Sequence, residues 1–181
     1  CTSLKDVTIT KGITKIGTES FANCTGLREV TFEEDIQALS IGNRAFSGCA
    51  SLEKIDLTKG IATVGNGAFQ NCDVLAKAEI GPEIQLGAGV FANCGKLTTL
   101  TIDLASIPNS AFKDMTGLTD LALESHVEKM GDNAFSGCTS LKNRTIPEGV
   151  TSIGNGSFEN CSSLTEVTLS NSDMHLGGND F

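Results

Sequence analysis

Apolar residues recur along this chain on two scales. On the short scale a leucine is followed by alternating apolar sites, as in Leu4, Val7, Ile9, then Leu27, Val30, Phe32, then Leu52, Ile55, Leu57, and again Leu118, Leu121, Leu123. Alternation over so few residues predicts short strands with one buried and one open face. On the long scale the whole motif repeats: Phe21, Phe46, Phe69, Phe91, Phe112, Phe135, Phe158 and Phe181 stand 21 to 25 residues apart, and only Phe32 lies outside the series.

Other columns keep step with the phenylalanines. Three residues after the first seven come Cys24, Cys49, Cys72, Cys94, Met115, Cys138 and Cys161, and Cys1 takes the same place in the first unit. Three residues further on stands Leu4, Leu27, Leu52, Leu75, Leu97, Leu118, Leu141 or Leu164. Five residues before each Phe is another apolar residue, followed at once by glycine except at Pro108, which reads as a corner of the chain path. The small residue before most of the phenylalanines predicts a tight helical or 3₁₀ turn. The residue two places after them (Asn23, Gly48, Asn71, Asn93, Asp114, Gly137, Asn160) suits a left-handed exit.

A unit of about 22 residues with one strand, two corners and one aromatic cannot bury its own apolar face, so neighbours must stack into a shared core. The expected fold is therefore an α/β-type solenoid of eight coils of 21–25 residues. Each coil is expected to give one short parallel strand to a common wall, with short helical or 3₁₀ turns opposite. Residues 1–181 read as one solenoid, a segment of a longer chain, without linker or second domain.

The unit C-x-x-L-x-x-[VIL]-x-[ILF]…I-G-x-x-[AS]-F-x-[NG]-C, followed through all of residues 1–181, resembles the BspA-like class of leucine-rich repeat proteins, known from bacterial and protozoan cell surfaces. The resemblance implies a leucine-rich repeat solenoid and a secreted or surface-displayed protein with an adhesive role. The residues that match are core positions, so the resemblance speaks to architecture before function. Two departures stand out. Met115 in a cysteine column marks that position as one for a compact apolar filler. Arg144 takes an inward strand site held elsewhere by Val7, Val30, Ile55, Ala78, Leu100, Leu121 and Val167. A buried unpaired guanidinium is costly, so Arg144 is expected either to pair with an acid or to force a bulge that brings its head to water.

Candidate chemistry is sparse. Seven cysteines, one per coil and without a C-x-x-C pair, predict a buried ladder of free thiols in preference to disulfides or a metal centre. His126 and His175 are placed in loops of different repeats, outside any nucleophile or metal motif. The run Glu33, Glu34, Asp35 lacks calcium-loop spacing. No catalytic residue, metal site or cofactor is assigned, and the chain is read as a non-enzyme.

The outward residues of the strands carry the functional expectation. Asp6, Thr8, Glu29, Thr31, Lys54, Asp56, Lys77, Glu79, Thr101, Asp120, Thr145, Glu166 and Thr168 alternate with buried positions, giving a polar, threonine-rich wall of acidic balance as the candidate ligand-binding surface. Threonine suits an exposed strand by propensity alone, so the rival reading is a soluble face on a structural rod that positions other domains. A net charge of -9 disfavours nucleic acid and anionic membranes as partners, and no apolar run is long enough to span a bilayer. The absence of Trp and Tyr leaves the wall without aromatic platforms for sugars. A protein or peptide ligand is therefore favoured over a carbohydrate.

Overall fold

The computed structural model describes all 181 residues, Cys1–Phe181. The chain winds into stacked coils that share three walls. The first wall holds β1 (Asp6–Ile9), β3 (Glu29–Phe32), β5 (Lys54–Leu57), β7 (Lys77–Ile80), β9 (Thr99–Ile102), β11 (Asp120–Leu123), β13 (Arg144–Ile146) and β15 (Val167–Leu169). The second holds β2 (Lys15–Ile16), β4 (Leu39–Ile41), β6 (Ile61–Val64), β8 (Gln85–Leu86), β10 (Ser106–Ile107), β12 (Lys129–Met130), β14 (Ser152–Ile153) and β16 (His175–Leu176). Every paired neighbour is parallel. There are thus eight strand levels, numbered here as coils 1 to 8, with about seven full windings between Phe21 and Phe181.

The expectation of one strand per coil is corrected to two. The apolar residue taken for a corner, Ile16 or Ile41 for example, is extended and pairs in register with its counterpart one coil away. Its strand is only two to four residues long, too short for period-two alternation to reveal it.

The expected helical turns are also corrected, because the chain contains no helix. Around each Phe, alternate amides act in two directions. Ser20, Ala22 and Cys24 donate three residues back, to Gly17, Glu19 and Phe21, while Glu19, Phe21 and Asn23 donate to Asn43, Ala45 and Ser47 of the next coil. A helix needs all of those donors for itself, so sharing them between coils gives a third wall of linked turns. Asn23, Gly48, Asn71, Asn93, Asp114, Gly137 and Asn160 are left-handed, with φ between 55° and 75°, as their sequence suggested. A second left-handed position lies two residues before each Phe, as at Glu19, Arg44 and Asn133.

The interior is a set of columns. All eight repeat phenylalanines stack, with centroids 5.2–6.0 Å apart and rings within 14° of parallel, inside the favourable range for aromatic pairs. The six from Phe46 to Phe158 join a single cluster of buried apolar side chains running through the coils, with Phe21 packed against it and Phe181 exposed. All seven cysteines are free, and all but Cys1 are buried. The thiols of Cys49, Cys72, Cys94, Cys138 and Cys161 each donate to the carbonyl of the Phe one coil back, at 3.2–3.3 Å. Loss of water around the thiolate pushes Cys49 up to about 11, Cys94 to about 12 and Cys161 to about 11. Burial, reinforced by neighbouring cysteines, pushes Cys72 and Cys138 further in the same direction.

At the corner between the second and third walls, glycine is required by proximity. A Cβ on Gly65 would lie 2.5 Å from the Asn43 backbone nitrogen of the coil below. The next residue forms a polar row. Asn43 Oδ1 accepts from the Asn66 amide, Asn66 Oδ1 from Ala88, Asn109 Oδ1 from Asp132, Asp132 Oδ1 from Asn155 and Asn155 Oδ1 from Gly178, all at 2.7–3.0 Å.

Neither strand wall is continuous. The first divides into β1-β3-β5-β7, β9-β11 and β13-β15, and the second into β2-β4-β6-β8 and β10-β12-β14-β16. Arg144 explains the gap between β11 and β13. It does not pair with an acid: its half-buried guanidinium donates to the Thr119 carbonyl and, at 3.3 Å on the exposed side, to that of Asn143, while its buried Nε has no partner. At the equivalent point of the neighbouring interface the Thr119 amide donates to the Thr98 carbonyl. The guanidinium thus occupies a carbonyl that the ladder would use.

Candidate functional site

The residues expected to form the ligand wall all fall on or beside the first-wall strands and on one face of them. Asp6, Thr8, Thr31, Lys54, Lys77, Glu79, Thr101, Asp120, Thr145, Glu166 and Thr168 are exposed, and Glu29 and Asp56 half-buried. Parallel pairing without a register shift makes each type a column. Asp6 faces Glu29, Glu29 faces Lys54 and Lys54 faces Lys77, while two residues further along Thr8 faces Thr31 and Asp56 faces Glu79. Thr145 faces Thr168 near the other end.

The charges are unevenly spread. In coils 2 to 4 a shallow hollow of about 270 Å³ is lined by Glu29, Thr31, Lys54, Asp56, Lys59, Lys77 and Glu79. Three carboxylates meet three ammonium groups there, so the acidic balance expected for the whole wall does not hold in this patch. Lys54 Nζ lies 2.8 Å from Glu29 Oε1 and Lys77 Nζ 2.5 Å from Glu79 Oε1. The hydrogen bond and charge of Glu29 raise Lys54 above the usual lysine value. Asp56 Oδ1 accepts from the amide and hydroxyl of Thr58 at 2.9 and 2.6 Å, which holds the carboxylate upright beside the turn. Lys59 was not foreseen. It follows β5 in the turn Thr58-Lys59-Gly60, where the path bends toward the second wall, and it also pairs with Glu34.

Like charges of both signs stack in this patch. Lys54 over Lys77 and Asp56 over Glu79 are direct lateral neighbours, an arrangement that costs stability in a sheet. Each is relieved only by ion pairs whose side chains reach solvent, Lys54 with Glu29 and Lys77 with Glu79, and such pairs contribute little. Asp6, Asp120 and Glu166, outside the hollow, form no ion pair.

The remaining candidates do not gather. His126 Nδ1 sits 2.8 Å from Asp103 on an exposed edge. His175, expected in a loop, is in β16 of the second wall. Glu33 accepts from the Lys11 amide. No group of three or more His, Cys, Asp or Glu side chains is placed to hold a metal ion, and no helix is long and apolar enough to cross a membrane. A hollow of about 480 Å³ among Phe158, Cys161, Leu164, Val167, Leu169 and Phe181 is the interior column seen end-on at coil 8.

Comparison with known proteins bears on the coils as a set. No curated protein matches the chain. A leucine-rich repeat protein of T. pallidum is similar in structure, with a TM-score of 0.75 and 26% identity over 88% of this chain and 78% of that one. One from Bacteroides ovatus superposes with a TM-score of 0.57 at 24% identity, over 96% of this chain. This chain spans 57% of that protein's length. The pneumococcal vaccine antigen PcpA shares the fold at a TM-score of 0.57 and 19% identity, over 94% of this chain and 51% of that one. The model of the BspA type leucine rich repeat region matches in six copies over residues 1–104 and 84–181. With the repeat columns, this coverage places the chain in the BspA type family of leucine-rich repeat proteins.

Proposed function

We propose that this chain is a non-catalytic, polypeptide-binding segment of a secreted or cell-surface protein, and that its ligand lies across the first wall at coils 2 to 4. The observation that carries the reading is the pairing of Lys54 with Lys77 beside Asp56 with Glu79. Two rows of opposite sign lie two residues apart along the strands, about 7 Å. An extended peptide with an acid and a base on alternate residues matches that spacing and relieves both like-charge pairs. Threonines flanking the rows offer hydroxyls to a peptide backbone. Complementary charge of this kind governs specificity and encounter rate more than affinity, so tight attachment relies on several copies or a broad contact. Surface display and adhesion agree with the family.

The test is binding of the protein to intact cells and to secreted-protein extracts, with captured partners identified. Lys54→Glu/Lys77→Glu and Asp56→Lys/Glu79→Lys should each abolish capture of a defined partner, and the four changes together should restore binding to a partner peptide of inverted charge. A second-wall control, Lys129→Glu, should bind as the parent does. Equal capture by all variants would move the contact away from coils 2 to 4, and no capture by the parent would leave the rod as a spacer whose exposed charges are satisfied among themselves.

A further inference from the structure

One interface in the stack lacks devices that tie the other coils together. Between coil 4 (β7, β8, Phe91) and coil 5 (β9, β10, Phe112) the sheets end in both strand walls. In the second wall the cause is Pro108. At the same place Gly42, Gly65, Gly87, Gly131, Gly154 and Gly177 donate their amides to the preceding coil at 2.7–2.9 Å, and proline has no amide hydrogen to give. The polar corner row stops at the same interface because Ala88 has no side-chain acceptor for the Asn109 amide. The thiol bond stops there too. The carbonyls of Phe69 and Phe112 each receive a cysteine proton, whereas the residue placed over Phe91 is Met115, which has none to donate. The Phe91–Phe112 spacing, 6.0 Å, is the widest in the stack. Open hollows lie over the interface on both strand walls, of about 280 Å³ between Lys77, Glu79, Thr99 and Thr101 and about 390 Å³ among Leu86, Leu104 and Pro108.

The third wall is unaffected. Gly89, Phe91 and Asn93 donate to Asn109, Ala111 and Lys113 at 2.8–2.9 Å, as at the levels on either side. We propose that the coil 4–coil 5 interface is a hinge: coils 1–4 and coils 5–8 turn about the third wall, and the two strand walls part along β7/β9 and β8/β10. Closed, the first wall presents one run of eight levels; open, it presents two runs of four at an angle. The hinge stands whether or not that wall holds a ligand.

Hydrogen exchange on the full chain tests it. Amides of Leu97–Ile107 should exchange at least about tenfold faster than those of the equivalent Leu52–Val64, while the Phe91 and Asn93 amides of the third wall stay protected. Equal protection in the two strand segments, or loss of protection in the third wall as well, would overturn the hinge, the second result meaning that the interface simply unfolds. Restoring the missing groups with Ala88→Asn, Pro108→Gly and Met115→Cys should bring Leu97–Ile107 to the slower rate. A lock gives a second measurement that does not depend on those core changes. Gln85 and Ser106 occupy matching places on the second wall, since Thr63 faces Gln85 and Ser106 faces Lys129. Gln85→Cys/Ser106→Cys in a Cys1→Ser background should form a disulfide that narrows the distribution of shapes seen by small-angle scattering. Identical distributions in the oxidised and reduced forms would exclude the motion.

Discussion

Coils 1–4 and coils 5–8 are made of the same columns and differ in how those columns are joined. In the first four, each strand wall is one unbroken four-stranded sheet. In the last four the second wall stays whole, but the first is cut at Arg144 into two pairs. The phenylalanine column passes through both halves with little change. Apolar stacking and ladder hydrogen bonding are therefore separable sources of cohesion: one residue can cut a ladder and leave the core intact.

The largest expected effect tests whether the halves share their core. Phe69→Ala and Phe135→Ala, one in each half, should each cost about 3–5 kcal/mol through the cavity left in a filled column. Thermal unfolding followed by circular dichroism should resolve two steps, the altered half melting first; a loss below about 1 kcal/mol would contradict the filled column. Raised pH should separate the halves next. A thiol held protonated by burial stabilises the fold fully below its unfolded value, near 9.0, and that contribution is lost as pH climbs through the folded value, about 11 for Cys49 and about 12 for Cys94. Urea midpoints should hold steady to about pH 8.5 and fall steeply by about pH 11. Coils 1–4, with Cys49, Cys72 and Cys94, should lose more than coils 5–8, with Cys138 and Cys161.

Smaller changes sharpen the contrast. Gly65→Ala places a methyl against the neighbouring backbone and should cost about 1–3 kcal/mol. Arg144→Val should move the other way, gaining about 1–2 kcal/mol by removing the unpartnered Nε and freeing the Thr119 carbonyl for β13. Added exchange protection at Lys142–Ile146 would show that the ladder had closed, and an unchanged or lower melting temperature would mean that the arginine is not a liability. Lys54→Glu should leave the melting temperature nearly unchanged, since the side chains of Lys54 and its half-buried partner Glu29 both reach solvent; a large change would mark the charged rows as structural.

The columns were legible in the sequence because each demands a residue type: Phe for the stack, Leu and Cys for the interior, and Asn or Gly for the left-handed exit. The first wall followed from alternation, and its outward residues fell where expected. The second wall escaped, since Lys15–Ile16 is too short to show a period. The turns were taken for helical because a small residue before Phe does not say where its amide goes. The asparagine row was present as Asn43, Asn66 and Asn155 after the glycines and Asn109 after Pro108, but its role depends on side chains reaching the next coil. Pro108 and Arg144 were visible as exceptions, and what they interrupt required the neighbouring strands. The hollow at coils 2–4 needed Lys59, which enters only through the path of the turn.

With no tryptophan or tyrosine in the chain, the stacked rings also set how the molecule can be observed. Apart from Phe32, every aromatic chromophore belongs to a single pile of nearly parallel benzyl groups. The near-ultraviolet dichroism of the unlabelled protein is therefore a readout of that pile and the buried Phe32, and a change in its fine structure on adding a partner would report a shift between coils without any introduced dye.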